Sequence, residues 1–325
     1  MENVFLIDWL TFTVKGSSVD QVKSLIGLAD GYLKGSSKWE ELGGCNGYPK
    51  SEFYNGIRIM YGASDDMGIC CNMSDQGCRT FESFGSGEWM KLFQFLVNPD
   101  FQELVNITRL DLAFDDHNDV LDIDQIEHDL DAGNWTARFR WWACEYGSQG
   151  VSMYIGSPKS DIRCRIYDKA AERGLENQHW VRVELQLRRG NATTAVQHIV
   201  SGMTVAAVFS GVLRNYIQFR EPVETDSNKA RWPLADYWAK FLDGAIPVTL
   251  WVDPGCEYNL EKLQRFVIDQ AGNAISCYVM IHGYEGLRYF LDQYKKVENL
   301  PAKYKLLVDL AARGDGGFVY DEEID

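Results

Sequence analysis

The sequence predicts an α+β fold: mainly antiparallel β-sheet with helices packed on one side, followed by a smaller mixed C-terminal domain. Three observations carry this. Runs of β-branched and aromatic residues with two-residue alternation recur up to residue 188. Helical patterns are grouped around those runs instead of alternating with them one for one, which argues against a doubly wound parallel sheet. Finally, 325 residues that are 46% hydrophobic, with 16 Phe, 16 Tyr and 10 Trp, supply a core too large for a minidomain or a disordered chain.

Residues 4–14, VFLIDWLTFTV, form the first expected strand, and Asp8 is an acid inside it. Gly16-Ser17-Ser18 ends that strand and caps a helix over 19–32. Two hairpin-like stretches follow, 50–61 and 68–84, the first turning at Asn55-Gly56. A helix over 88–97 stops at Asn98-Pro99. In 106–116, NITRLDLAFDD, period two puts Ile107, Arg109, Asp111, Ala113 and Asp115 on one face and Thr108, Leu110, Leu112 and Phe114 on the other. A helix carrying Ile123, Ile126 and Leu130 comes next. Three strand-like runs, VSMYIG, IRCRIYDKA and HWVRVELQLR, occupy 151–189, and 191–217 reads as one helix.

These elements predict a catalytic domain over 1–220, a linker at 221–245 containing EPVETDSNKARWP, a small mixed domain at 246–314 and an acidic tail at 315–325. The C-terminal domain is expected to hold a strand at 247–252 and helices at 258–271, 284–296 and 301–312. No short-period repeat is evident, but the two strand groups are compatible with a structural duplication.

A net charge of −15 excludes a generally basic nucleic-acid coat protein, though not an enzyme with a locally basic cleft. Residues 101–133 hold ten acids and one Arg, read as a solvated helix face, whereas 151–189 hold eight basic and five acidic residues. Eight cysteines without a CxxC pair give no zinc or dithiol signature. With an acidic start and no run of about 18 apolar residues, a cytoplasmic protein with free thiols and no membrane partner is expected.

Asp111 and Glu184 lie on alternating strands beside Arg109, Arg182 and Arg188. If those strands are neighbours, two carboxylates share a sheet face and repel unless a proton or a divalent cation intervenes. Mg²⁺ or Mn²⁺ suits such oxygen donors and polarises a phosphodiester. The plainer reading is an Arg–carboxylate network. Asp8 is a third candidate ligand, or an acid that ends its strand in solvent. On the strand 162–168, Tyr167 shares a face with Arg163, Arg165 and Lys169, cations that favour the phenolate as a nucleophile toward phosphorus. Its plainer reading is a structural tyrosine. The five histidines form no local metal pair, and no Rossmann or Walker loop is present.

RLDLAFDD (109–116), YIGSPKS (154–160), RIYDKAAE (165–172) and WVRVELQLR (180–188) resemble, in order and spacing, the successive blocks of the Rep_trans replication-initiation-factor family. IDWLTFTV (7–14) resembles that family's first strand. Pro158 departs from the basic residue usual in its glycine turn. The resemblance covers the chain up to about residue 240. It implies nicking and rejoining of origin DNA through a 5′-phosphotyrosine, with a divalent metal held by carboxylates. By position it implies Tyr167 as nucleophile with Tyr154 as rival, Asp111 and Glu184 as Mg²⁺ or Mn²⁺ ligands, and Arg109, Arg165, Lys169 and Arg182 at phosphate. The expected partner is single-stranded or hairpin origin DNA. A helicase and a second copy of the chain are candidate further partners. The competing readings are a non-catalytic origin-binding protein and a metal-dependent nuclease that uses water.

Overall fold

Alternation over residues 4–14 builds β1 (Val4–Val14), the strand around which the rest of the sheet assembles. The computed structural model describes residues 3–30, 38–148, 150–175, 178–242 and 266–294. The chain divides into two units, Met1–Trp251 and Val252–Asp325.

Ser18 caps α1 (Val19–Leu25) with a full capping box, its side chain accepting from the Gln21 amide while Gln21 Oε1 accepts from the Ser18 amide at 2.8 Å. Ser18→Ala is expected to lower stability by about 1 kcal/mol. Equilibrium urea unfolding checks this, and an unchanged midpoint would show that the cap does not limit stability. Then come β2 (Glu40–Gly43), β3 (Lys50–Tyr54), β4 (Ile57–Tyr61) and β5 (Ile69–Ser74). The β3–β4 hairpin turns at Asn55-Gly56, where Gly56 has φ +89 and a Cβ would fall 2.4 Å from the Gly77 amide nitrogen.

Gln76–Phe84 is a helix, α2, not the second arm of a hairpin. Its Cys78 and Phe81 fall on one side and are buried, a three-residue spacing that suits a helix on the sheet. The expected α3 (Trp89–Leu96) follows, then β6 (Val105–Asp116), α4 (Ile123–Asp131), β7 (Trp135–Ala137), β8 (Trp142–Gly147), β9 (Gly150–Ile155), β10 (Ile162–Asp168), the short α5 (Lys169–Glu172) and β11 (Val181–Arg188). The single helix expected over 191–217 is two, α6 (Gly190–Val200) and α7 (Val205–Tyr216), because Gly202 takes φ +105 and Thr204 caps the second.

Ten strands form one antiparallel sheet in the order β2-β3-β4-β5-β1-β6-β11-β10-β9-β8. The order is a pseudo-twofold palindrome. Strands 2-3-4-5-1 of the first half mirror 8-9-10-11-6 of the second, and the halves meet at the β1–β6 pair. One face is apolar: Leu10, Phe12, Cys71, Met73, Leu110, Leu112, Cys164, Ile166, Val183 and Leu185 are all buried there, packed with α1 to α4, α6 and α7 in one core. Ile107 joins that face, contrary to the simple alternation, because the β1–β6 register shifts between Thr11 and Phe12 and so puts Ile107 and Arg109 on opposite sides.

The acids of 101–133 are not all a solvated face. Asp111, Asp115, Asp116 and Asp129 are buried. Asp116 is enclosed because it accepts the amides of Asn118, Val120 and Leu121, ordering the turn after β6.

Residues 221–242, read as part of a linker, belong to the first unit. They include α8 (Asp236–Leu242), whose Trp238, Phe241 and Leu242 are buried at helical spacing, with the Phe241 ring tilted against that of Phe114 at 5.0 Å. A small sheet pairs β12 (Ile217–Phe219) with β7. In the second unit a π-helical turn, Phe266–Ala271, leads into α9 (Gly272–Tyr294), broken at Gly283. The strand expected at 247–252, most of the helix at 258–271, the helix at 301–312 and the acidic tail lie outside the described residues. Among the described residues, no helix is long and apolar enough to cross a membrane, and no cysteine is in a disulfide.

Candidate active site

The sheet face opposite the helices carries the charge. Cross-strand pairing puts Asp111 beside Gln186, Ala113 beside Glu184, Asp115 beside Arg182, and then Glu184 beside Arg165 and Arg182 beside Tyr167. Asp111 and Glu184 therefore share a face, as the periodicity predicts. Both line a cavity of about 410 Å³ together with Asp8, Trp9, Arg109, Arg165, Tyr167, Lys169 and Glu172.

Asp8 reaches the cavity through a bulge, since the β1–β6 register shifts between Ile7 and Trp9. The Asp75 amide donates to the Asp8 carbonyl and the Arg79 guanidinium to that of Ile7, so the distorted backbone stays paired. Asp8 is buried rather than facing solvent, and its carboxylate takes Arg182 Nη1 at 2.8 Å. The other two Arg182 donors clamp Asp115 at 2.6 and 2.7 Å. Arg182 is thus enclosed, with each of its three nitrogens held by a carboxylate. It braces the site from within and does not present a free guanidinium to phosphate.

The Tyr167 hydroxyl donates to Glu184 Oε1 at 2.7 Å. The Arg165 guanidinium lies 3.8 Å from the Tyr167 ring centre and Lys169 Nζ 5.3 Å from it. Arg165 also donates to Ser152 Oγ, and Lys169 pairs with Glu172. The cations are in place, yet the phenol is not turned toward phenolate. Burial, then the Glu184 charge, push its proton affinity up, and Arg182 only partly opposes them. Sequence reasoning counted the cations on the tyrosine's own strand and missed the carboxylate across from it.

Arg109 holds Asp111 through two nitrogens at 2.6–3.1 Å and lies over the Trp9 ring at 3.7 Å. Asp111 is pushed up by burial against the pull of Arg109. Tyr154 is half-buried, with the guanidinium of Arg163 at 4.1 Å and that of Arg165 at 5.7 Å from its ring. Its cationic neighbours are supplied across strands, from β10. It lines a smaller adjoining cavity with Arg109, Arg163 and Glu184. Pro158, in the glycine turn, gives its carbonyl to Arg188 at 2.7 Å.

Glu184 is raised to about 7, first by burial and then by the Asp8 charge, with Asp111 adding to the push. Three carboxylates that repel one another at one cavity are a hard oxygen donor set, suited to Mg²⁺ or Mn²⁺ and not to a soft metal. Arg182, Arg109 and Tyr167 already engage Asp8, Asp111 and Glu184 respectively, and among the described residues no ready-made group of three or more His, Cys, Asp or Glu ligands occurs.

In chelator, Glu184 makes stability depend on pH. Its folded value lies above the ordinary 4.5, so its contribution is complete below about pH 4.5 and is lost as pH rises through about 7. The loss is on the order of 3 kcal/mol. Urea midpoints of the metal-free protein from pH 4.5 to 8 should fall accordingly, and Glu184→Gln should flatten the slope. A slope unchanged by that substitution would place its origin elsewhere.

The model of the family described as Replication initiation factor matches residues 105–293. The chain belongs to that family. A second model, Rolling Circle replication initiation protein N-terminal domain, matches residues 4–98. The chain is 24% identical over 328 residues to a Bacillus subtilis (strain 168) protein named "Putative DNA relaxase NicK", covering 94% of this chain and 89% of that one. A solved Rolling Circle Replication Initiator Protein from Geobacillus stearothermophilus superposes with a TM-score of 0.68 at 32% identity, over 77% of this chain and all of that one. The two family models divide the chain close to where the sheet divides. The first ends shortly after α3, and the second begins at β6, the first strand of the second half.

Proposed function

We propose that this member of the replication initiation factor family nicks and rejoins one strand of origin DNA by transesterification, with Tyr167 as nucleophile. The observation that carries the reading is the 2.7 Å hydrogen bond from the Tyr167 hydroxyl to Glu184, inside a cavity lined by Arg109, Arg165 and Lys169. Tyr167 Oη attacks phosphorus, its proton passes to a Glu184 oxygen, and the P–O3′ bond breaks. The 3′ oxygen leaves as a hydroxyl, protonated from Lys169, and the 5′ phosphate stays on the tyrosine. Rejoining is the reverse. Glu184 near neutrality is matched to taking and returning a proton at working pH. Arg165 and Arg109 stabilise charge on the phosphate oxygens. Mg²⁺ or Mn²⁺ held by Asp8, Asp111 and Glu184 would add electrostatic stabilisation of the same phosphate.

Single-stranded or hairpin origin DNA is the substrate proposed, since the cavity sets Arg109, Arg165, Lys169 and Arg173 among its carboxylates for a single phosphate while the chain as a whole is acidic. A helicase and a second copy of the chain are further partners we propose, neither of them required for the chemistry. The test is denaturing electrophoresis and peptide mass spectrometry after incubation with a single-stranded origin oligonucleotide and Mg²⁺. A nucleotide-bearing peptide containing Tyr167 is expected. Cleavage without an adduct would mean a nuclease using water, and binding with neither would mean an origin-binding protein.

A further inference from the structure

The pseudo-twofold order of the sheet gives each strand of the catalytic half a counterpart in the first half, and the match extends to residues. In the catalytic half one cross-strand row runs Ala113–Glu184–Arg165–Tyr154 over β6, β11, β10 and β9. Its counterpart over β1, β5, β4 and β3 is Thr11–Asn72–Arg58–Phe53. The next row, Asp115–Arg182–Tyr167–Ser152, is matched by Thr13–Cys70–Met60–Ser51. The row before them pairs Asp111 with Gln186, and its counterpart pairs Trp9 with Ser74. Trp9 and Asp111 also face each other across the β1–β6 junction, where the pseudo-axis passes.

The chemistry that breaks a bond is absent from the first half. Met60 stands in the place of Tyr167, Asn72 in that of Glu184 and Trp9 in that of Asp111. What persists is the arginine, its aromatic neighbour and the serine: Arg58, Phe53 and Ser51 for Arg165, Tyr154 and Ser152. The two arginines differ in charge balance. Arg165 has Glu184 and Glu172 within 3.9 Å. Arg58 has no carboxylate partner among the described residues. Its Nη1 lies 3.4 Å from Cys45 Sγ, and its Nε, like that of Arg165, is buried without a hydrogen-bond partner, so the difference between the two lies in the carboxylates alone. A half-buried guanidinium left uncompensated costs free energy that an anion would offset, and planar donors favour a phosphate.

We infer that Arg58, with Asn72 and Phe53, is a second, non-cleaving site for a phosphate of single-stranded DNA, on the strand that also occupies the Tyr167 cavity. The inference rests on the DNA-nicking reading above. Five strand spacings of about 4.8 Å separate β4 from β10, and the two rows are offset by four residues along β6, so the two arginines sit roughly 27 Å apart across the open face, a span for several nucleotides. Trp9, stacked on Arg109 midway, gives bases an aromatic surface between them. The duplicated half thus holds the strand while the other half cuts it.

The test compares Arg58→Gln, Arg58→Lys and Arg165→Gln by fluorescence anisotropy over a salt series. One origin oligonucleotide is too short to leave the Tyr167 cavity and one is long enough to cross the sheet. Arg58→Gln should weaken the long strand about tenfold, lower its salt slope by about 0.7 and spare the short one, and Arg58→Lys should restore most of the loss. Unchanged affinity and slope for the long strand in Arg58→Gln, while Arg165→Gln loses both, would overturn this site and leave the nicking reading intact. Equal loss on both lengths, unrelieved by Lys, would also overturn it. No binding or nicking of either oligonucleotide by the parent protein would remove the nicking reading itself.

Discussion

Tyr167→Phe is expected to abolish the protein–DNA adduct and to reduce strand cleavage by roughly a thousandfold or more, since it removes the attacking oxygen and nothing else. The ring is enclosed by Arg165 and Lys169 and keeps its packing, so affinity for the uncleaved strand should change by no more than about twofold. The rival makes a sharp control. Tyr154 is also flanked by two arginines but donates to no carboxylate among the described residues, so Tyr154→Phe should keep the adduct. Quantitative gel assays of both variants decide between them. An adduct that survives in Tyr167→Phe and disappears in Tyr154→Phe would move the nucleophile to β9 without changing the reaction class.

Arg182→Ala should destabilise the protein by about 3–5 kcal/mol, because it strands two buried carboxylates, Asp8 and Asp115, without a counter-charge. Denaturant unfolding measures this directly. Arg182→Lys should recover little, as an ammonium cannot reproduce the two-pronged contact with Asp115 and also reach Asp8. Adding Asp115→Asn to Arg182→Ala should return part of the loss by removing one stranded charge. A loss below about 1 kcal/mol for Arg182→Ala would mean that water solvates the pair and that the brace is not structural.

These two expectations differ in how much the sequence alone supports them. Tyr167, Asp111 and Glu184 were legible because period two is a local property: which face a side chain takes depends on its neighbours one and two positions away. The same locality identified β1, β6, β10 and β11 and the Asn55-Gly56 turn. It misjudged Ile107, because a bulge breaks the period in a way that no residue type announces. It missed α2 because a short segment with mixed pattern is settled by what it packs on.

The role of Arg182 lay beyond local reasoning. Its partners are 67 and 174 positions away, and only the strand order β1-β6-β11-β10 brings Asp8, Asp115 and Tyr167 around it. The same holds for the phenol. Seen along β10 it has cations for neighbours, whereas seen across to β11 it has a carboxylate, and the carboxylate with burial outweighs them. The duplication was legible only as two compatible strand groups, and its strand-by-strand match needed the sheet order, because the two halves keep buried positions while their residues have diverged. The sequence by itself determined which residues line each face of a strand wherever no bulge interrupts the alternation. Tertiary structure decided which strands are neighbours, and therefore which charges meet, because Coulombic and hydrogen-bond energies depend on distance in space and not along the chain.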